Sequence, residues 1–320
     1  MIKNWVTGAC GFMGNHLVNY LINKGENVLA TTFRPTTDIT TLNKEAIVKE
    51  CDIRDKEKVF KIIKEFKPDK IYHLAAQSFP TVSWKDPWYT LETNVLGSTN
   101  IFEAVKENKL DCKILNACTS AEYGFVTEDE VPVKENHELK PLHPYGVSKL
   151  AQEALAYQYF KNFGVKIISL RIFNTTGPMK SADVCSDFTK RLVEIEKGIN
   201  KKKILRVGDL TRKRAITDVR DEIEGFYLAL KKAVPGEVYN ISGNKVYAMS
   251  EIVEKLRKLV KFDFEIWQDP ELLRPNDEPV IYGDSTKFKK ATGWEQKIPL
   301  EKTLEDMLNY WRKVLWNKTG

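Results

Sequence analysis

Thr7-Gly8-Ala9-Cys10-Gly11-Phe12-Met13-Gly14 opens seven residues into a chain of 320, between a strand-like stretch at 3–7 and a helical pattern at 13–24. A strand that turns into a helix through three glycines gathers backbone N–H groups and the positive end of a helix dipole at one spot. A pyrophosphate suits that spot. Gly8 permits the tight turn, Gly11 lets the backbone approach the phosphates, and Gly14 allows the helix to pack closely on the strand. Phe12 and Met13 open the helix and join the glycines as cofactor-contacting positions. The spacing is G-x-x-G-x-x-G, a variant of the G-x-G-x-x-G fingerprint.

Outward from this loop, strand-like and helix-like stretches alternate: strands at 27–32, 46–51, 70–74, 112–117 and 166–171, helices at 55–66, 88–108 and 144–163. Such alternation means a parallel sheet with helices on both faces. After Gly177 it fades into helical stretches at 187–198, 218–232, 250–261 and 300–316. The predicted fold is α/β: a Rossmann-type doubly wound parallel sheet (1–174) followed by a smaller mixed α/β substrate domain (175–320), with parts of 210–245 returning to the first.

Composition limits what such a chain does. At 42% hydrophobic and 29% charged residues it is an ordinary globular sequence, which excludes disordered and fibrous classes. Fifty basic against forty-four acidic residues leave +6, a mild, spread excess that suits an anionic small ligand better than nucleic acid. Five cysteines form no C-x-x-C pair and four histidines no H-x-x-x-H spacing, so neither a disulfide framework nor a metal centre is expected. No apolar run reaches the roughly 18 residues of a membrane span, and MIKNWVTG lacks the layout of a signal peptide. The expectation is a soluble, cytoplasmic protein with neither membrane nor nucleic-acid partners.

The end of the second strand should lie beside an adenosine ribose, where NAD-selective proteins usually carry a carboxylate. Here stand Thr31, Thr32, Phe33 and Arg34. An arginine without a carboxylate favours a 2′-phosphate, hence NADP(H) over NAD(H), because a guanidinium pairs bidentately with phosphate. Asp52 and Ile53, after the third strand, suit the adenine amine and ring. Tyr145 and Lys149 stand four apart on a helix after Pro144 and share one face. The lysine charge is expected to favour phenolate and lower the tyrosine pKa, making Tyr145 an acid or base towards a hydroxyl or carbonyl.

With TGACGFMG, HLAAQ at 73–77, ACTSAEYG at 117–124 and PYGVSK at 144–149, the chain resembles the extended short-chain dehydrogenase/reductase family over essentially its whole length. The resemblance implies Thr119 as the hydroxyl partner of Tyr145, Lys149 on the nicotinamide ribose, and Leu74, Ala75 and Ala76 beside the cofactor. It also implies a nucleotide-linked sugar as substrate, met by Ser120 and Glu122. Phe173-Asn174-Thr175, Arg206-Val207-Gly208-Asp209 and Leu273-Arg274-Pro275-Asn276-Asp277-Glu278-Pro279 are similar to its GDP-mannose-processing branch. A diphosphate needs cations, for which Lys190, Arg191, Arg214 and Arg274 are candidates. Asn174 can orient sugar or phosphate, and Asp277 can accept guanine N–H donors.

In the family's 4,6-dehydratases the acid/base pair occupies the two positions after the threonine. Here those are Ser120 and Ala121, and Glu122 comes one place late, which in an extended segment turns a side chain to the opposite face. The expected activity is therefore hydride transfer at C4 of a GDP-linked hexose without elimination, in the reductive direction. Dehydration, C4 dehydrogenation and 4-epimerisation are the alternatives, with a non-catalytic dinucleotide sensor as the non-enzymatic one. Pairing of the helices after Trp88 and Pro144 in family dimers implies a homodimer.

Overall fold

The computed structural model describes residues 1–273 and 279–316. The first half runs β1 (Lys3–Thr7), α1 (Phe12–Asn23), β2 (Asn27–Thr32), β3 (Ile47–Glu50), α2 (Lys56–Phe66), β4 (Lys70–His73), α3 (Pro80–Lys85), α4 (Pro87–Leu91), α5 (Gly97–Glu107), β5 (Lys113–Thr119), α6 (Pro144–Phe163) and β6 (Lys166–Ile172). It continues with β7 (Asn174–Thr176), α7 (Val184–Glu196), β8 (Ile204–Val207), β9 (Lys213–Asp218), α8 (Val219–Lys232), β10 (Val238–Ile241), β11 (Val246–Ala248) and α9 (Met249–Leu259). β12 (Glu265–Gln268), β13 (Val280–Ile281), α10 (Thr286–Thr292) and α11 (Leu300–Trp316) complete the described chain.

Seven parallel strands form the main sheet in the order β10-β6-β5-β4-β1-β2-β3. β1 and β5 are buried along almost their whole length, as strands covered on both faces must be, whereas the edge strand β3 is exposed. After β1 the chain winds one way to β2 and β3, then crosses to β4 and winds the other way. The crevice beyond the carboxyl ends of β1 and β4 is thus a topological switch point, where ligands of such sheets bind. α8 and β10 return from the C-terminal half, β10 pairing with β6 and α8 packing its Ile223, Phe226 and Leu230 into the core beside Leu17 and Leu21 of α1.

The remaining strands build a smaller layer: β9 is flanked by β11 and β13 and pairs with β7, and β8 pairs with β12. Its core gathers Phe188 and Leu192 of α7, Leu205 and Val207 of β8, Ile252 and Leu256 of α9, and Leu304 and Met307 of α11. The helix expected over 88–108 is interrupted. Between α4 and α5 lies one π-helical turn, Glu92–Leu96, a feature often found at functional sites.

Local chemistry sets the helix ends that matter for the site. α1 begins at Gly11 with no side-chain cap and no acidic residue in its first turn, so its N–H groups stay available to an anion. α6 begins with Pro144 after His143, whose Nδ1 accepts the Gly146 N–H at 3.0 Å, and it ends at Gly164 in the left-handed conformation.

Candidate active site

The glycine loop leaves a cradle that any side chain would fill. Gly8 has φ +65°, and a Cβ there would stand 2.8 Å from the Ala75 nitrogen; one on Gly14 would stand 2.2 Å from the Gly8 oxygen. Phe12 and Met13 are partly exposed at the start of α1, and Leu74, Ala75 and Ala76 are partly exposed across the switch point. A bare helix N-terminus above backbone with no room for side chains fits a dinucleotide diphosphate. Lys180, unmarked by any sequence motif, holds its ammonium 4.8 Å above the Phe12 ring, and His16 Nε2 meets the Pro178 oxygen at 2.9 Å. The loop after β7 thereby brings a cation to the same helix end.

Arg34 sits at the end of β2 in a left-handed conformation, φ +49°, its guanidinium 5.3 Å from the Phe33 ring and 5.4 Å from that of Tyr89. Arg54 lies on Tyr89 as well, at 4.9 Å, and grips Asp52 with Nε and Nη2 at 3.0 and 2.6 Å. Burial opposes ionisation of Asp52, but its hydrogen bonds to Arg54 and the charges of Arg54 and Arg34 outweigh it and hold the carboxyl below its ordinary value. Two guanidiniums bracketing one ring make a basic notch that the sequence showed only by half, since Arg54 and Tyr89 come from other elements. Ile53, expected against the adenine, is buried and packs on Gly97, where an added Cβ would meet it at 2.7 Å.

A buried polar chain joins this loop to α6. Thr7 Oγ1 accepts the N–H groups of Leu74 and Ala75, each at 3.1 Å, and donates to His73 Nδ1 at 3.0 Å. His73 Nε2 then carries the hydrogen and donates to Ser98 Oγ at 2.8 Å, and Ser98 donates to the Asn94 carbonyl at 2.5 Å. Asn94, in the π turn, bonds both backbone groups of Gln77 and reaches Ser148 Oγ at 2.9 Å; Ser148 donates to the Tyr145 carbonyl at 2.7 Å. Burial, with the Lys149 charge nearby, lowers the His73 pKa to about 3, so the ring is neutral.

Tyr145 is partly exposed at the start of α6 and takes a hydrogen bond from the Thr119 hydroxyl. Its pKa is pushed up to about 12, chiefly by burial, with the Thr119 bond pulling it down less. This corrects the expectation that Lys149 lowers it. Lys149 Nζ is spent on the Ala117 carbonyl at 2.8 Å and on Gln152 Oε1 at 2.9 Å, and burial lowers its own pKa. The His143 ring stacks on Tyr145 with centroids 5.8 Å apart and planes 19° apart, an arrangement no motif announced.

After Thr119 the chain turns through a 3₁₀ helix, Ser120–Glu122, rather than running extended. Ser120 and Ala121 stay partly exposed while Glu122 is wholly buried, its Oε1 accepting the Thr119 N–H at 2.9 Å. Glu122 therefore does not line the cleft where a sugar was expected to meet it. Asn174 opens β7 with a buried Nδ2 that has no hydrogen-bond partner, an amide ready for a ligand.

The expected phosphate clamps scatter. Lys190 on α7 holds its ammonium 5.6 Å from the Trp311 ring of α11 and 3.9 Å from Glu194. Arg191 donates to the Arg206 carbonyl at 2.5 Å and ties α7 to β8, whereas Arg214 in β9 donates to the Lys213 carbonyl at 2.9 Å. Arg274 and Asp277 lie outside the described residues. Among the described residues no helix is long and apolar enough to cross a membrane.

A family model described as GDP-mannose 4,6 dehydratase matches residues 5–307. The chain is 28% identical over 308 residues to GDP-6-deoxy-D-mannose reductase of Pseudomonas aeruginosa, covering 96% of each. A solved structure of RMD from Pseudomonas aeruginosa complexed with NADPH superposes with a TM-score of 0.87 at 27% identity, covering 98% of this chain and 100% of that one. UDP-glucose 4-epimerase of Thermotoga maritima with UDP-glucose superposes with a TM-score of 0.90 at 28% identity, over 98% and 100% of the two chains.

The buried neutral His73 yields a prediction with a definite sign. Its folded pKa, about 3, lies below the ordinary 6.5, so the stability it contributes is complete above about pH 6.5 and is lost as pH falls towards 3. Thermal unfolding from pH 7 to 4 should show the unmodified protein losing stability more steeply than His73→Gln, by up to about one proton's worth of slope. Parallel curves would contradict a buried neutral imidazole.

Proposed function

The chain belongs to the GDP-mannose 4,6-dehydratase family of extended short-chain dehydrogenases/reductases, NAD(P)-dependent enzymes of nucleotide sugars, and from that premise we propose that it reduces the C4 ketone of a GDP-linked 4-keto-6-deoxyhexose with NADPH. Its closest functional description would be a GDP-4-keto-6-deoxy-D-mannose reductase. The observation that carries reduction over dehydration is the turn at 119–122. It folds the carboxyl of Glu122 into the protein and leaves Ala121, which has no acid, as the partly exposed residue beside Ser120. Elimination of the C6 hydroxyl needs an acid at the leaving oxygen.

When bound, the nicotinamide supplies a hydride. The chain's own residues then have separable tasks. Tyr145, protonated across the neutral range, gives its phenolic proton to the oxygen forming at C4. Thr119 holds the Tyr145 oxygen by donating to it and lowers the cost of the phenolate. Lys149, reaching from the same helix, compensates that charge and offers its one remaining N–H to a ribose. Arg34 and Arg54 form a notch for a 2′-phosphate, and Gly8, Gly11 and the α1 N-terminus hold the diphosphate. Asn174 orients the sugar. A second copy of the chain is proposed to cover the stripe Val147, Leu150, Ala154 and Tyr157 on α6 with the exposed Trp88 and Leu96 opposite, giving a homodimer.

Tyr145→Phe keeps the ring and removes the donor, so turnover should fall about 10²–10⁴-fold while cofactor affinity stays nearly unchanged. Equal turnover in the variant would remove Tyr145 from the mechanism. In binding titrations NADPH should outcompete NADH, and Arg34→Ala should weaken NADPH alone by about ten- to a hundredfold, the worth of a charge-assisted contact. An unmodified protein that prefers NADH would overturn the cofactor reading.

A further inference from the structure

Glu122 has no task in the proton transfer above, yet its surroundings are specific. Oε1 accepts the Thr119 N–H at 2.9 Å while the Thr119 hydroxyl accepts the Ala121 N–H at 3.3 Å, a reciprocal cap closed on the residue that holds Tyr145. Oε2 has no hydrogen-bond partner, although it lies 3.6 Å from Arg171 Nε on β6. That guanidinium is already committed: Nε and Nη2 grip the Glu153 carboxylate of α6 at 2.9 and 2.6 Å, and Nη1 donates to the Tyr123 hydroxyl and the Glu135 carbonyl. Cys118 of β5 and Lys149 and Tyr145 of α6 are the other titratable groups facing Glu122.

Two buried carboxyls beneath one guanidinium cannot both be bare anions at low cost. Burial first, then the negative Glu153, push the Glu122 pKa well up, and Arg171 offsets them only in part. Cys118, Glu122 and Glu153 bring ligand atoms within 4.8 Å of one another, a spacing a metal ion uses, but Arg171 and Lys149 set two cations against that occupant.

We propose that Glu122 is a positioning residue of the active site: a neutral carboxylic acid that clamps the Thr119 backbone through Oε1 and carries its proton on Oε2, beside Glu153 and beneath Arg171. It acts through Thr119 and touches neither substrate nor cofactor, and the proposal rests on the reading of Thr119 as the partner of Tyr145. Neutrality matters because a negative charge at Glu122 raises the Tyr145 pKa and opposes the phenolate that proton donation leaves behind.

The test compares the unmodified full chain with Glu122→Gln and Glu122→Leu. In infrared difference spectra at neutral pH, the unmodified protein should show the carbonyl band of a protonated carboxyl that Glu122→Gln lacks. The buried Glu222, also with a raised pKa, contributes equally to both and cancels. Glu122→Gln, which keeps the acceptor, should hold kcat within about threefold and leave the pH profile unmoved. Glu122→Leu strands the Thr119 N–H and should lower kcat about 10–100-fold, with KM and the NADPH Kd unchanged. A missing band, or a Gln variant as slow as the Leu variant, overturns the proposal. Should Glu122→Leu fail to fold, the band and the Gln variant decide. Should the unmodified enzyme turn over no GDP-linked sugar, the functional reading fails, and the band alone decides whether Glu122 is a neutral acid.

Discussion

Thr7 and His73 face each other across the β1–β4 pairing, and on that contact the geometry of the site depends. The Thr7 hydroxyl holds two N–H groups of the segment after β4, which fixes how closely that segment passes Gly8. Through His73 and Ser98 it also fixes the π turn, and Asn94 in that turn fixes the start of α6 by way of Ser148. The glycine cradle and Tyr145 belong to different elements, yet one run of buried hydrogen bonds sets both. Each member is shut away from water, so each must be satisfied by the next, and a break anywhere leaves a buried polar group whose cost is about 1–3 kcal/mol.

Behind that chain the electrostatics are governed by burial more than by pairing. Tyr145 is driven up, Lys149 down, and Cys118 well up, all with desolvation as the largest cause. A site of this kind keeps its tyrosine protonated at neutral pH and is poised to donate rather than to abstract. The Arg171–Glu153 pair forms the floor beneath it. A full positive charge held bidentately there stops the neighbouring carboxyls from adding net negative charge behind the phenol.

Features written in adjacent residues were legible from the sequence. The glycine loop needs only a strand, three small residues and a helix, and Tyr145 with Lys149 needs only the helical repeat. Features assembled from distant segments were not. Arg54 and Tyr89 complete the notch begun by Arg34 because the loop between β3 and α2 and the middle of α4 both come to the residues that follow β2. Lys180 reaches α1 from the loop after β7. The charge of Lys190 was visible in the sequence, whereas its packing over Trp311 of α11 was not. The π turn breaks a helical pattern that residues 88–108 otherwise support, with no signal beyond Asn94 itself. Glu122 was expected to turn away by the alternation of an extended strand; it does so by a 3₁₀ turn that caps Thr119, which a period-two reading has no means to anticipate.

The central claim is hydride transfer at C4 without loss of water. It is tested most directly by incubating the purified protein with NADPH carrying deuterium at the transferable nicotinamide position and GDP-4-keto-6-deoxymannose, then locating the label by mass spectrometry and NMR. The account predicts one deuterium at C4 of the product for each NADPH consumed. GDP-mannose with NADP⁺ should accumulate no 4-keto-6-deoxy sugar. Efficient water loss from GDP-mannose, or NADPH consumption without label at C4, would contradict it.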